Sequence, residues 1–153
     1  MLLQRLNKND LPEIIAFNRR CFSPGDRWSG EDWTELLEDE RAHYYALLEN
    51  GQIVGNMFLY DWQGERDFLK IMNLGVAPDR RGQGLACRLL QKAAEELKAS
   101  MLTRCCGETR ESNLAMRRVF ERCGYRLNKI EENYYENPAE SACKYVLRRE
   151  ELE

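Results

Sequence analysis

The residues best placed for chemistry lie after an apolar segment that ends at Val76. The chain then continues through a glycine-bearing stretch, Arg81-Gly82-Gln83-Gly84-Leu85-Ala86, into a segment whose apolar residues have helical spacing. Glycines let the backbone approach a ligand without a Cβ in the way. The first turn of a helix also offers unpaired N–H groups and the positive end of the helix dipole. This junction is therefore predicted to bind an anion such as a pyrophosphate.

Two familiar phosphate-binding motifs do not fit this loop. A P-loop requires Lys-Ser or Lys-Thr after its last glycine, and neither follows Gly84. A dinucleotide-binding loop requires Gly-x-Gly-x-x-Gly, and Cys87 stands where the third glycine would be. The plain alternative is a glycine turn that only caps a helix.

A candidate general base lies further along the chain. Glu108 ends a predicted strand beside the expected ligand cleft, and a carboxylate placed there could accept a proton from a reacting group. Alternatively, Glu108 is a solvated carboxylate or an ion-pair partner of Arg104 or Arg110. Metal chemistry is not predicted, because the six cysteines form no Cys-x-x-Cys pair and the chain has a single histidine, His43.

Several segments together resemble the GNAT family of N-acetyltransferases. Residues 81–86 are similar to its Arg/Gln-x-x-Gly-x-Gly/Ala signature. Residues 107–125 resemble the Glu-x-Arg-x-Ser-Asn segment of protein N-terminal acetyltransferases, in particular the RimI-like ribosomal-protein-alanine N-acetyltransferases. The Tyr134-Tyr135 pair and the segment from Phe22 to Ser29 also look like that group. The resemblance covers most of the chain and is strongest from about residue 72 to residue 135.

This resemblance implies acetyl-CoA as cosubstrate and a role for each matching residue. Glu108 would be the general base, and Tyr134 and Tyr135 would hold the acceptor, with packing as their alternative role. A bulge at residues 74–76 would free main-chain groups for the pantetheine arm, and a glycine in a strand often marks such a bulge. For Asn113 the alternative role is helix capping. The cofactor-binding residues that the resemblance implies are Leu74, Gly75, Val76, Arg81, Gly82, Gln83, Gly84, Leu85, Ala86, Asn113 and Phe120.

One position departs from the family pattern. The family has a tyrosine, assigned as the acid that protonates the departing thiolate, where this chain has Phe120. The thiolate could leave unassisted, because a thiol of pKa about 8–9 is a tolerable leaving group. A phenol from Tyr125, Tyr134 or Tyr135 could substitute, or activity could be weak or absent.

Three functions follow from these residues and the resemblance. The first is acetyl transfer to the N-terminal α-amine of a protein or peptide, by direct transfer in a ternary complex. An α-amine titrates near pH ~8 and a lysine near ~10.4, so a lysine costs roughly 3 kcal/mol more to deprotonate, and a single carboxylate suits the α-amine better. The second is acetylation of a small amine. The third, a non-catalytic acyl-CoA-binding module, stays open because of Phe120.

Composition narrows the class of protein. The chain has 153 residues with 43% hydrophobic content, which suits a single domain. The resemblance implies that residues 1–153 form one N-acetyltransferase (GNAT) domain. Its net charge of −3 argues against general nucleic-acid binding. No apolar run is long enough to span a bilayer, so no membrane association is expected. The first residues do not resemble a secretion signal, so we expect a cytoplasmic protein with reduced thiols.

Hydrophobic periodicity and turn residues predict the element order β-α-α-β-β-β-α-β-α-β-β. This order indicates a mixed sheet covered by helices. It is also the order of the GNAT fold, which the resemblance implies: a single-domain α/β (α+β) protein with a mixed, mostly antiparallel twisted sheet flanked by helices. The predicted strands lie near residues 1–6, 43–49, 52–61, 68–76, 101–108, 125–129 and 142–149, and the predicted helices near 10–21, 29–41, 82–98 and 112–123.

Overall fold

Strands from both halves of the chain form one sheet in the part that this computed structural model describes, residues 1–62 and 64–152. The strands are β1 (Leu2–Leu6), β2 (Ala42–Glu49), β3 (Gln52–Asp61), β4 (Phe68–Val76), β5 (Arg104–Arg110), β6 (Arg126–Tyr135) and β7 (Glu140–Arg148). Their order in the sheet is β1-β2-β3-β4-β5-β7-β6. Neighbouring strands are antiparallel except for β4 and β5, which are parallel.

The helices occur in the chain order that the sequence predicted. They are α1 (Leu11–Cys21), α2 (Gly30–Glu38), α3 (Leu85–Ala99) and α4 (Leu114–Arg122). Helices α1 and α2 pack on β2, β3 and β4, and α3 crosses from β4 to β5 while it contacts β3, β4 and β5. The predicted α/β (α+β) fold, with a mixed and mostly antiparallel sheet flanked by helices, is confirmed.

An aromatic cluster fixes α2 against the sheet. The ring of Trp33 on α2 packs edge-on against Tyr44 of β2 and Phe58 of β3, with centroid separations of 5.8 and 5.6 Å. All three side chains are buried. Burial of large aromatic side chains contributes strongly to stability, and edge-to-face geometry is a preferred arrangement. This cluster therefore anchors α2 on β2 and β3.

Strands β4 and β5 separate towards one end and open a gap within the sheet. Their parallel pairing extends over three residue pairs, and the last is Lys70 with Cys106. Beyond that pair, β4 continues along β3 to Val76, and β5 continues along β7 to Arg110. We call this gap, between residues 71–76 and residues 107–110, the wedge. Main-chain groups on its two walls face the gap instead of a neighbouring strand.

The bulge in β4 lies at Met72, so the prediction of a bulge at residues 74–76 is wrong. The register between β3 and β4 shifts between Phe58 and Leu59, which leaves Met72 as the extra residue. Gly75 pairs regularly with β3 and is needed for another reason. A Cβ built on Gly75 lies 2.9 Å from the ring of Phe22, so a side chain there would collide with the segment that follows α1.

Two strand boundaries also differ from the prediction and change the position of site residues. Strand β5 ends at Arg110, so Glu108 lies inside the strand and not at its end. Strand β6 extends to Tyr135, so Tyr134 and Tyr135 lie on a strand and not in the predicted loop. Between Glu131 and Tyr135 the register of β6 against β7 shifts, which explains why simple alternation did not reveal the strand.

Two kinds of feature are absent from residues 1–62 and 64–152. No group of three or more histidine, cysteine, aspartate or glutamate side chains is arranged to hold a metal ion. None of the helices there is long and apolar enough to cross a membrane.

Candidate functional site

The loop at residues 81–86 leads from the end of β4 into α3. Gly82 and Gly84 have φ angles of +79° and +77°, in the left-handed region that favours glycine. A Cβ built on either residue meets nothing within 4 Å. The backbone conformation therefore requires these glycines, and the space in front of them is open to a ligand.

The N-terminus of α3 differs from those of α2 and α4 in a way that suits an anion. Side chains of Ser29 and Asn113 cap α2 and α4 by accepting main-chain hydrogen bonds. Gly84 occupies the capping position before α3 and has no side chain to do this, and the first turn of α3 contains no acidic residue. The unpaired N–H groups and the helix dipole can then act on a bound phosphate. The loop fits the pyrophosphate that the sequence predicted.

Arg81 ties this loop to the sheet and to α1. Its guanidinium donates to the carbonyl oxygen of Val76 at 3.3 Å and to that of Cys21 at 3.4 Å. The loop is thereby held against the end of β4. Of the other loop residues, Gln83 is exposed, Leu85 is buried and Ala86 is partly buried.

The walls of the wedge carry most of the remaining predicted cofactor-binding residues. Leu74, Gly75 and Val76 are partly buried on the β4 side and lead directly towards the loop. Asn113 lies just after β5, where its Oδ1 accepts a hydrogen bond from the Met116 N–H at 3.1 Å. Asn113 is therefore the cap of α4 in this structure.

The Glu108 carboxylate lies on β5 where side chains from three other strands meet it. The hydroxyl of Tyr134 on β6 donates to its Oε1 at 2.5 Å. Lys70 Nζ on β4 lies 3.3 Å from Oε1, and Lys144 Nζ on β7 lies 3.7 Å from Oε2. The Glu108 side chain is 16% exposed, so a substrate can reach it. The structure thus brings the predicted base and a predicted acceptor-binding tyrosine together.

The electrostatics of this cluster keep its phenols protonated. Burial, and then the hydrogen bond to Glu108 and its charge, raise the pKa of Tyr134 well above its usual range. Burial, and then the charge of Glu108, do the same to the pKa of Tyr135. Lys144 Nζ lies 4.6 Å from the centre of the Tyr134 ring, so one ammonium contacts both the phenol ring and the carboxylate.

Phe120 lies in the core and faces the wedge from α4. It is 1% exposed and stacks on Tyr145 with ring centroids 5.1 Å apart. A Cβ built on Gly107 would lie 2.7 Å from the Phe120 ring and 3.3 Å from Cδ1 of Ile71. The ring edge therefore sits where β4 and β5 separate, at the base of the wedge.

Sequence reasoning missed the partners of Glu108. Arg104 or Arg110 was the predicted ion-pair partner of Glu108. In the structure Arg104 pairs with Asp67, and Arg110 pairs with Asp26. The actual partners, Lys70 and Lys144, are far from Glu108 in the chain. Lys144 faces Glu108 through the register of β5 against β7, which no local pattern reveals.

This loop, wedge and carboxylate are the parts that an acyl-CoA-dependent transferase needs, and comparison with known proteins identifies the class. Residues 11–125 match the model of the Acetyltransferase (GNAT) family. The chain belongs to this family and is an N-acetyltransferase that uses acetyl-CoA.

Individual relatives point to one branch of the family. A Bacillus subtilis (strain 168) protein, named as a candidate ribosomal protein bS18-alanine N-acetyltransferase, is 31% identical over 92% of this chain and 90% of the relative. The ribosomal protein bS18-alanine N-acetyltransferase of Escherichia coli (strain K12) is 27% identical over 87% of this chain and 86% of the relative. A crystal structure of the Escherichia coli ribosomal-protein-S18-alanine N-acetyltransferase matches with a TM-score of 0.86 at 25% identity, over 99% of this chain and 98% of that chain. The predicted resemblance to the RimI-like group is confirmed.

Proposed function

We propose that this enzyme acetylates the α-amine at the N-terminus of a protein, with Glu108 as the general base. The observation that carries the proposal is the hydrogen bond from Tyr134 to Glu108, which joins the base to the strand expected to hold the acceptor. Relatives named for alanine N-acetylation of ribosomal protein bS18 support that protein as the natural acceptor. Action on a ribosomal protein would place the enzyme in the cytoplasm.

Acetyl-CoA would lie along the loop and the wedge. Its pyrophosphate would accept hydrogen bonds from N–H groups of residues 82–86, where the positive-φ glycines leave open space. Its pantetheine arm would enter the wedge beside residues 74–76, with Asn113 just beyond the opposite wall. The Val76 N–H would donate to the thioester oxygen and stabilise negative charge as it develops there.

The transfer itself needs a deprotonated amine. The α-amine nitrogen attacks the thioester carbon, the new C–N bond forms, and Glu108 accepts the proton that the nitrogen releases. The C–S bond then breaks, the electron pair leaves with sulfur, and the thiolate takes a proton from solvent. Because an α-amine titrates near pH ~8, a single carboxylate is sufficient for this acceptor.

Intact-mass analysis of a short peptide with a free N-terminal alanine and one internal lysine tests the acceptor. An otherwise identical peptide with a blocked N-terminus is the control. We expect one acetyl group on the free peptide and none on the blocked peptide. Acetylation of the blocked peptide would show that the acceptor is the lysine side chain and not the α-amine. If both peptides stay unchanged while acetyl-CoA still raises the melting temperature, the peptide acceptor is wrong.

Glu108→Gln tests the base, with Glu131→Gln as the matched control. Glu131 also pairs with Lys144, at 3.6 Å, but the Tyr134 hydroxyl donates to Glu108. Loss of general-base catalysis should lower kcat by about 10²–10⁴-fold in Glu108→Gln, and acetyl-CoA affinity should not change. The control should keep the wild-type kcat. Equal activity in the two variants would rule out Glu108 as the base.

A further inference from the structure

Arg110, at the end of β5, connects two loops that flank the Glu108 site. It lies two residues after Glu108 on the same strand, so both side chains project from the same face of the sheet. Its side chain is 14% exposed. The two loops are the α1–α2 loop, residues 22–29, and the β6–β7 turn, residues 136–139.

The contact with the α1–α2 loop is a two-point ion pair. Arg110 Nη2 lies 2.9 Å from Oδ1 of Asp26, and its Nε lies 3.2 Å from Oδ2. This side-on arrangement matches both carboxylate oxygens with the planar guanidinium and fixes the orientation of both groups. It joins residues that are 84 positions apart in the chain.

The remaining N–H groups of Arg110 hold the β6–β7 turn. They donate to the carbonyl oxygens of Glu136 at 2.9 Å and Pro138 at 2.8 Å, and to Glu140 Oε1 at 3.4 Å. With the Asp26 contacts, each N–H donor of the guanidinium has an acceptor. Lysine offers three donors on one nitrogen and cannot reproduce this planar pattern.

The same guanidinium supports the tyrosines beside the base. Its central carbon lies 4.7 Å from the centre of the Tyr135 ring. Tyr135 in turn packs edge-on against Tyr134, with ring centroids 5.1 Å apart, and the Tyr134 hydroxyl reaches Glu108. The two loops also touch directly, because a Cβ on Gly25 would collide with the carbonyl oxygen of Asn137.

We propose that Arg110 is a positioning residue that sets the affinity for the acceptor. It clamps the α1–α2 loop to the β6–β7 turn and thereby fixes Tyr134 and Tyr135 beside Glu108. This inference rests on the proposed function, because it requires an acceptor peptide bound by these tyrosines. Arg110 borders the wedge through its main chain, whereas its side-chain contacts lie with the two loops and not with residues 81–86, so acetyl-CoA binding should not depend on its side chain.

Arg110→Lys tests this role, and Arg104→Lys is a matched control. Arg104 lies on the same strand, pairs with Asp67 at 2.7 Å, and stacks over Phe68 at 5.0 Å, so it makes the same kinds of contact at the other end of β5. For Arg110→Lys we expect the KM for the alanine peptide to rise by about tenfold or more, which corresponds to the loss of a charged hydrogen bond. The Kd for acetyl-CoA, measured by calorimetry, should stay within about twofold of wild type.

Asp26→Asn breaks the same clamp from an exposed loop, so it tests the proposal even if Arg110→Lys does not fold. It should raise the peptide KM in the same direction, and Arg104→Lys should not. Equal peptide KM values in Arg110→Lys and Arg104→Lys, or a matching loss of acetyl-CoA affinity, would overturn the clamp. Failure of the wild-type enzyme to acetylate the peptide would instead refute the proposed function, and this inference with it.

Discussion

Gly84→Ala separates the folding role of the phosphate loop from its binding role. Gly84 has a φ of +77°, and no atom lies within 4 Å of the position that a methyl group would occupy, so alanine there meets strain but no collision. Alanine in the left-handed region costs about 1–2 kcal/mol. For a protein of this size, that should lower the melting temperature by roughly 2–4 °C per kcal/mol.

Gly64→Ala is the matched control. Gly64 lies in the turn before β4, at the opposite end of that strand from the phosphate loop, and has a φ of +91°. A Cβ on Gly64 also meets nothing within 4 Å. The two variants should therefore lose similar stability by differential scanning calorimetry, because each forces alanine into the same disfavoured region.

Their affinities for acetyl-CoA should differ. The methyl group of Gly84→Ala would project into the space where the pyrophosphate is expected and displace it from the N-terminus of α3. Loss of one hydrogen bond to a charged group costs about 1.5–3 kcal/mol, which corresponds to roughly tenfold to hundredfold weaker binding. Isothermal titration calorimetry should show this loss in Gly84→Ala and a wild-type Kd in Gly64→Ala. Equal Kd values in both variants would refute the placement of the pyrophosphate.

Two further substitutions test the core and the acid stability. Gly107→Ala should destabilise the protein by about 1–3 kcal/mol in urea, because its Cβ would lie 2.7 Å from the Phe120 ring. In the double variant, Phe120→Leu should relieve part of the cost of Gly107→Ala. If the two losses of stability were strictly additive, the contact between these residues would be contradicted. Burial raises the pKa of Glu96, but hydrogen bonds with His43 and Tyr45 outweigh it and leave that pKa below its usual range. A lowered folded-state pKa stabilises the protein above the unfolded pKa of about 4.3, and the effect disappears as pH falls through the folded pKa. The stability difference between wild type and Glu96→Gln should therefore shrink as pH falls below about 4.3, and a difference independent of pH would contradict this.

The sequence was sufficient to predict elements that are determined by residues close together in the chain. The Asn50-Gly51 pair predicted a hairpin, and both residues have positive φ between paired Glu49 and Gln52. The bounds of β4 were also predicted correctly from its apolar run. Helix α3 begins at Leu85 and not at residue 82, because the two positive-φ glycines are incompatible with a helical first turn.

Features set by strand register could not be predicted in this way. The sequence placed Tyr134 in a loop, but two register shifts in β6 allow the strand to continue to Tyr135. The lysines beside Glu108 come from β4 and β7, and their approach depends on which strands are neighbours and on their alignment. The Arg110 contacts likewise join segments that only the complete sheet brings together. A single sequence contains no direct signal for such pairings.

Three tyrosines, Tyr125, Tyr134 and Tyr135, could replace the general acid that the family places at the position of Phe120, and their contacts allow them to be compared. The hydroxyl of Tyr125 is buried and donates to Cys105 Sγ at 3.3 Å, so it is directed into the core. Tyr135 packs under the Arg110 guanidinium, 4.7 Å from its central carbon, and burial and then the charge of Glu108 raise its pKa, so it holds its proton. The Tyr134 hydroxyl donates to Glu108, the proposed base, and burial together with this hydrogen bond raises the pKa of Tyr134, so the phenol holds its proton. A thiolate leaving from the wedge would thus find no phenol at the position of Phe120, and departure with a proton from solvent is the step that these contacts favour. The modest basicity of a thiolate makes that step feasible, so Phe120 is compatible with an active enzyme.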